Sequence, residues 1–111
     1  MDQGLESSLT YGLAIDGFWR GGHLSKAEEI FNKVGKKLDN IEVLYNAMVR
    51  GYLHSGSTDD AYRLFRRVAQ QGNILDRFSC SKLINNLCRD DNVKRASTVF
   101  DMMFERKLFL M

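Results

Sequence analysis

The sequence predicts an all-α fold, an α-solenoid of three helical hairpins. Residue types recur with a period of 34 to 35 residues, a range typical of architectures in which each repeat is one supersecondary unit. Within each copy, apolar residues recur at the three-and-four spacing of an amphipathic helix. Turn-forming residues in the middle of each copy divide it into two helices.

The period is clearest between the first two copies, which align at nine positions after a shift of 34 residues. The aligned pairs are Tyr11 and Tyr45, Ile15 and Val49, Gly17 and Gly51, Phe18 and Tyr52, Gly22 and Gly56, Ala27 and Ala61, Ile30 and Leu64, Phe31 and Phe65, and Val34 and Val68. A further shift of 35 residues reaches the third copy, which keeps Ala96 and Phe100 but has Asn86 and Asp91 in place of the two glycines. The third copy is the most diverged.

The copies predict three repeats, at 8–41, 42–76 and 77–111, with residues 1–7 as the tail of a preceding repeat and its linker. The predicted helices span 8–20, 25–37, 42–54, 58–71, 77–89 and 93–106. Gly21-Gly22, Ser55-Gly56 and Asp90-Asp91-Asn92 separate the two helices of each copy. Ser25 with Glu28, and Ser57 with Asp60, have the spacing of a capping box at a helix start.

Core positions follow from the same alignment. Ala27, Ala61 and Ala96 are expected to let paired helices approach, and Phe31, Phe65 and Phe100 to fill the layer between them. Trp19 is expected to pack between repeats.

Composition excludes several classes of protein. The chain has 111 residues, 44% of them hydrophobic, and a net charge of +2, and no apolar run approaches the roughly 18 residues of a membrane span. Cys80 and Cys88 form no CxxC pair, so neither a zinc site nor a disulfide framework is predicted. The acidic pairs Asp59-Asp60 and Asp90-Asp91 fall at helix starts, where negative charge is favourable, so we expect no metal there.

Catalytic motifs are also missing from the sequence. It contains no GxSxG, HExxH, P-loop or dinucleotide fingerprint, and His23 and His54 have no recognisable nucleophile partner. No basic segment followed by an apolar one marks a secretory signal near the N-terminus. We therefore expect no enzyme, no catalytic residues and no cofactor.

The run from Leu9 to Phe31 resembles the repeat of the pentatricopeptide repeat family, roughly V-T-Y-N-x-L-I-x-G-x-C-K-x-G-x-x-x-x-A-x-x-[IL]-F. The second copy matches this pattern through Tyr45-Asn46 and the residues that follow. Gly17 precedes Ala27 by ten residues, and Gly51 precedes Ala61 by ten, whereas a tetratricopeptide repeat would separate them by about twelve. The resemblance covers residues 8–111 and indicates P-type repeats from a longer array.

The resemblance implies a right-handed superhelix that binds single-stranded RNA, one nucleotide per repeat, on the concave surface formed by the first helices. It implies a sequence-selective RNA-binding module of an organellar RNA-processing or expression factor in a mitochondrion or plastid. Other proteins of an organellar RNA complex or ribosome are expected as partners, and a membrane is not. The alternative is a structural protein-interaction solenoid within a large assembly such as an organellar ribosome.

The same resemblance implies which residues read bases. Asn46 with Asp76 forms the reader of the second repeat and favours uracil, the amide facing the base while the carboxylate holds the amide. Gly12, with Ile41 or Asn40, should be nearly silent because glycine has no side chain. At the position of Ser81 a hydroxyl leans toward purines in the family, but its partner would be Met111, at the end of the chain, so no base is assigned to it.

Two further sets of contacts are implied in the same way. Leu9, Val43 and Phe78 would stack on base faces, with Phe78 the strongest, and packing is their alternative role. Arg20, His54 and Arg89 would meet phosphates. Because Arg20 and Arg89 lie near helix C-termini, the helix dipole alone also accounts for them.

Overall fold

The computed structural model describes residues 3–36, 42–73 and 75–105, with side chains from Ser8 onward. Six helices follow one another: α1 (Gln3–Arg20), α2 (Leu24–Val34), α3 (Glu42–His54), α4 (Thr58–Gln70), α5 (Arg77–Arg89) and α6 (Val93–Glu105). Within these ranges there is no strand. The predicted all-α fold is confirmed, and the bounds of α3 and α5 coincide with those expected.

The helices form three hairpins, since α1 packs on α2, α3 on α4 and α5 on α6. The first helices of neighbouring hairpins also touch, α1 against α3 and α3 against α5. They therefore make one continuous layer, which we call the first-helix layer (α1, α3 and α5). Any row of equivalent positions in the three repeats runs across this layer.

Each hairpin turns through one residue with a positive φ angle. These are Gly22 (φ +89°), Gly56 (φ +80°) and Asp91 (φ +59°). The amide one residue later closes the turn on a carbonyl five residues earlier, as His23 to Phe18, Ser57 to Tyr52 and Asn92 to Leu87, each at 2.8 Å. This pattern satisfies carbonyls left free at a helix end, and it confirms the predicted breaks.

Two helix starts, those of α1 and α2, differ from the prediction. α1 begins at Gln3 rather than at residue 8, so the expected linker is helical from residue 3 onward. No proline or turn pair interrupts the segment, and the single Gly4 costs a helix only about 1 kcal/mol.

The predicted capping boxes are wrong. Ser25 lies inside α2, whose N-cap is His23. Ser57 is the N-cap of α4, but its side chain makes no capping hydrogen bond. Glu28 instead accepts a hydrogen bond from the Tyr52 hydroxyl at 2.6 Å, and burial together with this bond raises the pKa of Tyr52.

The core runs through all three hairpins. The three predicted alanines are buried, and so are Phe31 and Phe65. Phe100 does not belong to the core, since 49% of it is exposed. The alignment predicted that Phe100 would be buried like its equivalent, Phe65. In the described part of the chain, however, no further hairpin packs onto the third one to cover Phe100.

Candidate nucleic-acid interface

The first-helix layer carries three rows of the residues predicted to contact RNA. The stacking row is Leu9, Val43 and Phe78, the reading row is Gly12, Asn46 and Ser81, and the phosphate row is Arg20, His54 and Arg89. Equivalent residues sit at matching places on α1, α3 and α5. The helical repeat thus brings each row together on one layer.

Asn46 and Asp76 are in direct contact. The backbone N–H of Asp76 donates to Asn46 Oδ1 at 2.9 Å, and Asn46 Nδ2 donates to the carbonyl of Glu42 at 3.0 Å. A backbone donor and a backbone acceptor thus determine which way the amide points. The protein's own backbone therefore orients the Asn46 amide.

The carboxylate of Asp76 does not hold that amide, contrary to the prediction. Its Oδ1 accepts from the N–H of Ser79 at 2.7 Å and caps α5. Asp76 directly precedes α5, where free backbone N–H groups attract a carboxylate. The pair is therefore joined through the backbone of Asp76 rather than through its side chain.

Gly12 is buried against the second repeat. A Cβ added at Gly12 would lie 2.6 Å from Cγ1 of Val43, too close for two carbon atoms. Val43 therefore occupies the space in which a reading side chain of repeat one would stand, and Val43 itself is half-buried. The partner positions Asn40 and Ile41 lie outside the described residues.

Ser81 is exposed at the open side of the third hairpin. Together with Ile84, Asn85, Phe100 and Met103, it lines a cavity of about 280 Å³. Its predicted partner, Met111, lies outside the described residues.

The stacking row presents unequal surfaces. Phe78 is 65% exposed and Leu9 is 49% exposed, whereas Val43 is partly covered. The ammonium of Lys82 lies 6.0 Å from the centre of the Phe78 ring. Phe78 offers the largest flat apolar face in the row.

The phosphate row is exposed, and its side chains already touch neighbours. The guanidinium of Arg20 lies 5.3 Å from the Trp19 ring, and the ring of His54 lies 5.1 Å from the same indole. Arg89 donates to Asn86 Oδ1 at 2.6 Å.

A recess of about 440 Å³ separates the second and third repeats beside this row. His54, Lys82 and Arg89 line it together with the carboxylate of Asp90. Lys82 was not among the predicted contacts. Its position one helical turn after Phe78 is the signal that could have found it.

Arg50 and Asp16 were also missed. Nη2 of Arg50 lies 3.1 Å from Asp16 Oδ2, and Nη1 lies 4.0 Å from Asp76 Oδ2. A shift of 34 residues aligns Asp16 with Arg50. Opposite charges at one repeat position were the signal for an ion pair between neighbouring first helices.

Trp19 packs between the first two repeats, as predicted. It is buried, and a Cβ added at Gly51 would lie 2.7 Å from its Cδ1. Its indole N–H donates to Asp16 Oδ1 at 3.1 Å. Trp19 therefore links the packing between the repeats to the charged pair on the first-helix layer.

The two free cysteines differ in their surroundings. Cys80 is buried, and burial raises the pKa of its thiol to about 12; Cys88 is exposed. In the ranges that the structure describes, no group of three or more His, Cys, Asp or Glu side chains could hold a metal ion. No helix in those ranges is long and apolar enough to cross a membrane.

Comparison with known proteins adds sequence evidence to this geometry. A family model of the PPR repeat matches residues 9–37, 43–73 and 78–108. Over 106 residues, 95% of this chain and 10% of the relative, the chain is 24% identical to a mitochondrial pentatricopeptide repeat-containing protein of Arabidopsis thaliana. Over 81 residues, 73% of this chain and 11% of the relative, it is 30% identical to a putative protein of that description from the same plant. The chain therefore spans about a tenth of the length of these relatives.

Proposed function

Because the chain belongs to the pentatricopeptide repeat family, we propose that it binds single-stranded RNA along the first-helix layer, one nucleotide per repeat. The observation that carries this proposal is the Asn46 amide, oriented by the backbone of Asp76 and Glu42 at the centre of the layer. The chain is a repeat module of an RNA-associated factor, and repeats of this family are generally non-enzymatic.

Asn46 has hydrogen-bonding capacity left for a base. An amide carries two N–H donors and an oxygen with two lone pairs, and one of each is used within the protein. The remaining donor and acceptor suit a carbonyl and an adjacent N–H on the edge of uracil. The second repeat is thus the reader, and Gly12 makes the first repeat nearly silent.

The other two rows supply affinity without selectivity. Phe78 stacks on a base face, an interaction worth roughly 1–3 kcal/mol for an aromatic residue, and Leu9 and Val43 flank the same path. Arg20, Arg89 and, more weakly, His54 meet phosphates, which adds a term that falls with salt concentration. In the third repeat Ser81 occupies the reading position, and no base is assigned to it because its predicted partner, Met111, lies outside the described residues.

We place the parent protein in a mitochondrion or plastid, supported by the mitochondrial relative. There it acts in RNA processing or expression, together with other proteins of an organellar RNA complex.

A second candidate function is that of a protein-interaction solenoid within an assembly such as an organellar ribosome. The packing of Val43 into the reading position of repeat one favours this candidate, because a filled position cannot read a base.

Binding to short single-stranded RNAs that differ at one base tests the proposal. We expect weak binding at low salt, since three repeats contact about three nucleotides and few phosphates, with a preference for uracil at one position. Asn46→Ala should lower that preference about two- to tenfold, the worth of one hydrogen bond. Asp76→Asn, which retains a capping oxygen, should lower it less.

Asn32→Ala is the matched control, since Asn32 is an exposed asparagine on α2, outside the first-helix layer. Fluorescence anisotropy with labelled RNA measures each ratio. An array containing these repeats that binds no RNA but retains protein partners would establish the interaction solenoid instead.

A further inference from the structure

Arg50 stands between two carboxylates on the first-helix layer. Its Nη2 contacts both oxygens of Asp16, at 3.3 and 3.1 Å, and its Nη1 faces Asp76 Oδ2 at 4.0 Å. The side chain of Arg50 is only 24% exposed and that of Asp16 only 18%. A guanidinium is planar and presents its N–H groups as a rigid fork, so one arginine can face both carboxylates at once.

Asp76 is held at three places. Its backbone N–H holds the Asn46 oxygen, its Oδ1 caps α5 through Ser79, and its Oδ2 faces Arg50. Arg50 is the one of these partners whose own position depends on the preceding repeat, because its closest contact is Asp16 on α1.

Asp16 is in turn anchored by packing. It accepts the indole N–H of Trp19 at 3.1 Å, and Trp19 fits against Gly51 in the core between the first two repeats. A continuous series of contacts thus runs from this buried junction through Asp16 and Arg50 to the base-reading pair.

We propose that Arg50 is a positioning residue that transmits the state of repeat one to the base reader of repeat two. The proposal rests on the proposed function, and it adds that Arg50 acts on RNA through Asp76 rather than by contact. Base selection by Asn46 then depends on Asp16 in the neighbouring repeat. A repeat with the same Asn and Asp but no such arginine would discriminate bases less sharply.

The competing role for an arginine on this layer is a phosphate contact, and the two roles predict different measurements. Losing a phosphate contact weakens binding equally for all RNA sequences and lowers the salt slope by about one. Losing a positioning residue changes the ratio between bases and leaves the salt slope unchanged. The bonds to both oxygens of Asp16 favour positioning, because Arg50 would have to leave them to reach a phosphate.

The experiment compares Arg50→Gln and Arg50→Lys in the 111-residue chain, with Arg63→Gln as control. Arg63 is also paired with aspartates, but it lies exposed on α4, outside the first-helix layer. We expect both Arg50 variants to lose uracil preference about two- to tenfold, because the single ammonium of lysine cannot bridge two carboxylates. Their salt slopes should match the unmodified chain. A uniform loss of affinity with a smaller slope, rescued by lysine, would overturn positioning in favour of phosphate contact.

Hydrogen exchange without RNA separates this inference from the proposed function. In Arg50→Gln the backbone N–H of Asp76 should exchange faster and the side-chain amide resonances of Asn46 should shift, whereas Arg63→Gln should change neither. Unchanged exchange in Arg50→Gln overturns the inference whatever the RNA result. If neither the unmodified chain nor an intact array that contains it binds RNA, the proposed function fails, while the exchange of the Asp76 N–H still decides whether Arg50 positions Asp76.

Discussion

The two junctions between repeats solve the same packing problem in different ways. At the first junction, Trp19 lies against Gly51, which has no side chain to obstruct it. At the second junction the equivalent residues are Leu53 and Asn86, and Asn86 Nδ2 donates to the carbonyl of Leu53 at 3.3 Å. The first junction therefore relies on close fit, and the second on a buried polar contact.

Residues at one repeat position are consequently not interchangeable. Gly51 is suited to a bulky indole across the junction, and Asn86 to a smaller leucine that leaves room for an amide. Asn86 is buried, and its oxygen also accepts from Arg89 of the phosphate row. The choice at each junction thus extends to the first-helix layer, through Asp16 at the first junction and through Arg89 at the second.

The largest expected effect comes from filling the first junction. Gly51→Ala places a Cβ 2.7 Å from Trp19, and overpacking of this kind costs roughly 1–3 kcal/mol of unfolding free energy. Gly17→Ala is the matched control at the equivalent position, where an added Cβ meets nothing within 4 Å. It should stabilise α1 by roughly 0.5–1 kcal/mol. Urea denaturation of both variants measures the difference, and shifts of equal sign would contradict the role of close fit.

A smaller effect is expected from giving the second junction the residue of the first. Asn86→Gly removes the hydrogen bond to Leu53, worth about 0.5–1.5 kcal/mol. It also adds the helix cost of glycine, roughly 0.5–1 kcal/mol, for a combined loss of about 1–2.5 kcal/mol. Asn85→Gly controls for the helix term, because Asn85 is exposed on the same helix. If the two variants unfold at the same urea concentration, the Asn86 bond contributes nothing.

The architecture was predictable because its information is local and repeated. The 34-residue period placed the turns at Gly22, Gly56 and Asp91, where a positive φ angle is required, and apolar spacing placed the helices. The repeat alignment failed to predict the exposure of Phe100, whose equivalent Phe65 is buried. Burial depends on what packs on a residue, and a repeat alignment assigns each copy the same neighbours.

Polar contacts between repeats were the other part that the pattern did not reveal. The family resemblance implied that Asn46 and Asp76 act as a pair, but whether the carboxylate or the backbone N–H of Asp76 meets the amide depends on where α5 begins. To predict the pair of Asp16 and Arg50, equivalent positions of two repeats would have to be compared for opposite charges rather than for similar residues.

The smallest expected effect lies at the outer edge of the second junction, where Asp59 on α4 contacts Arg95 on α6. The hydrogen bond from Arg95, helped by the charge of Arg63, lowers the pKa of Asp59. A carboxyl whose pKa is lowered by folding stabilises the fold above its unfolded value, about 3.9 for aspartate. This stability is lost as the pH falls through the lower folded value. The pair is exposed, so its contribution is small and weakened by salt.

Thermal melts of the unmodified chain and of Asp59→Asn between pH 7 and pH 2.5 test this point. The two should differ at neutral pH and converge below about pH 3.9. Asp60→Asn is the matched control, because Asp60 shares the first turn of α4 but pairs with Arg63, at 3.8 Å, rather than with Arg95 of α6. An Asp60→Asn variant that converges in the same way would show that the dipole of α4, rather than the contact with α6, lowers the pKa of Asp59.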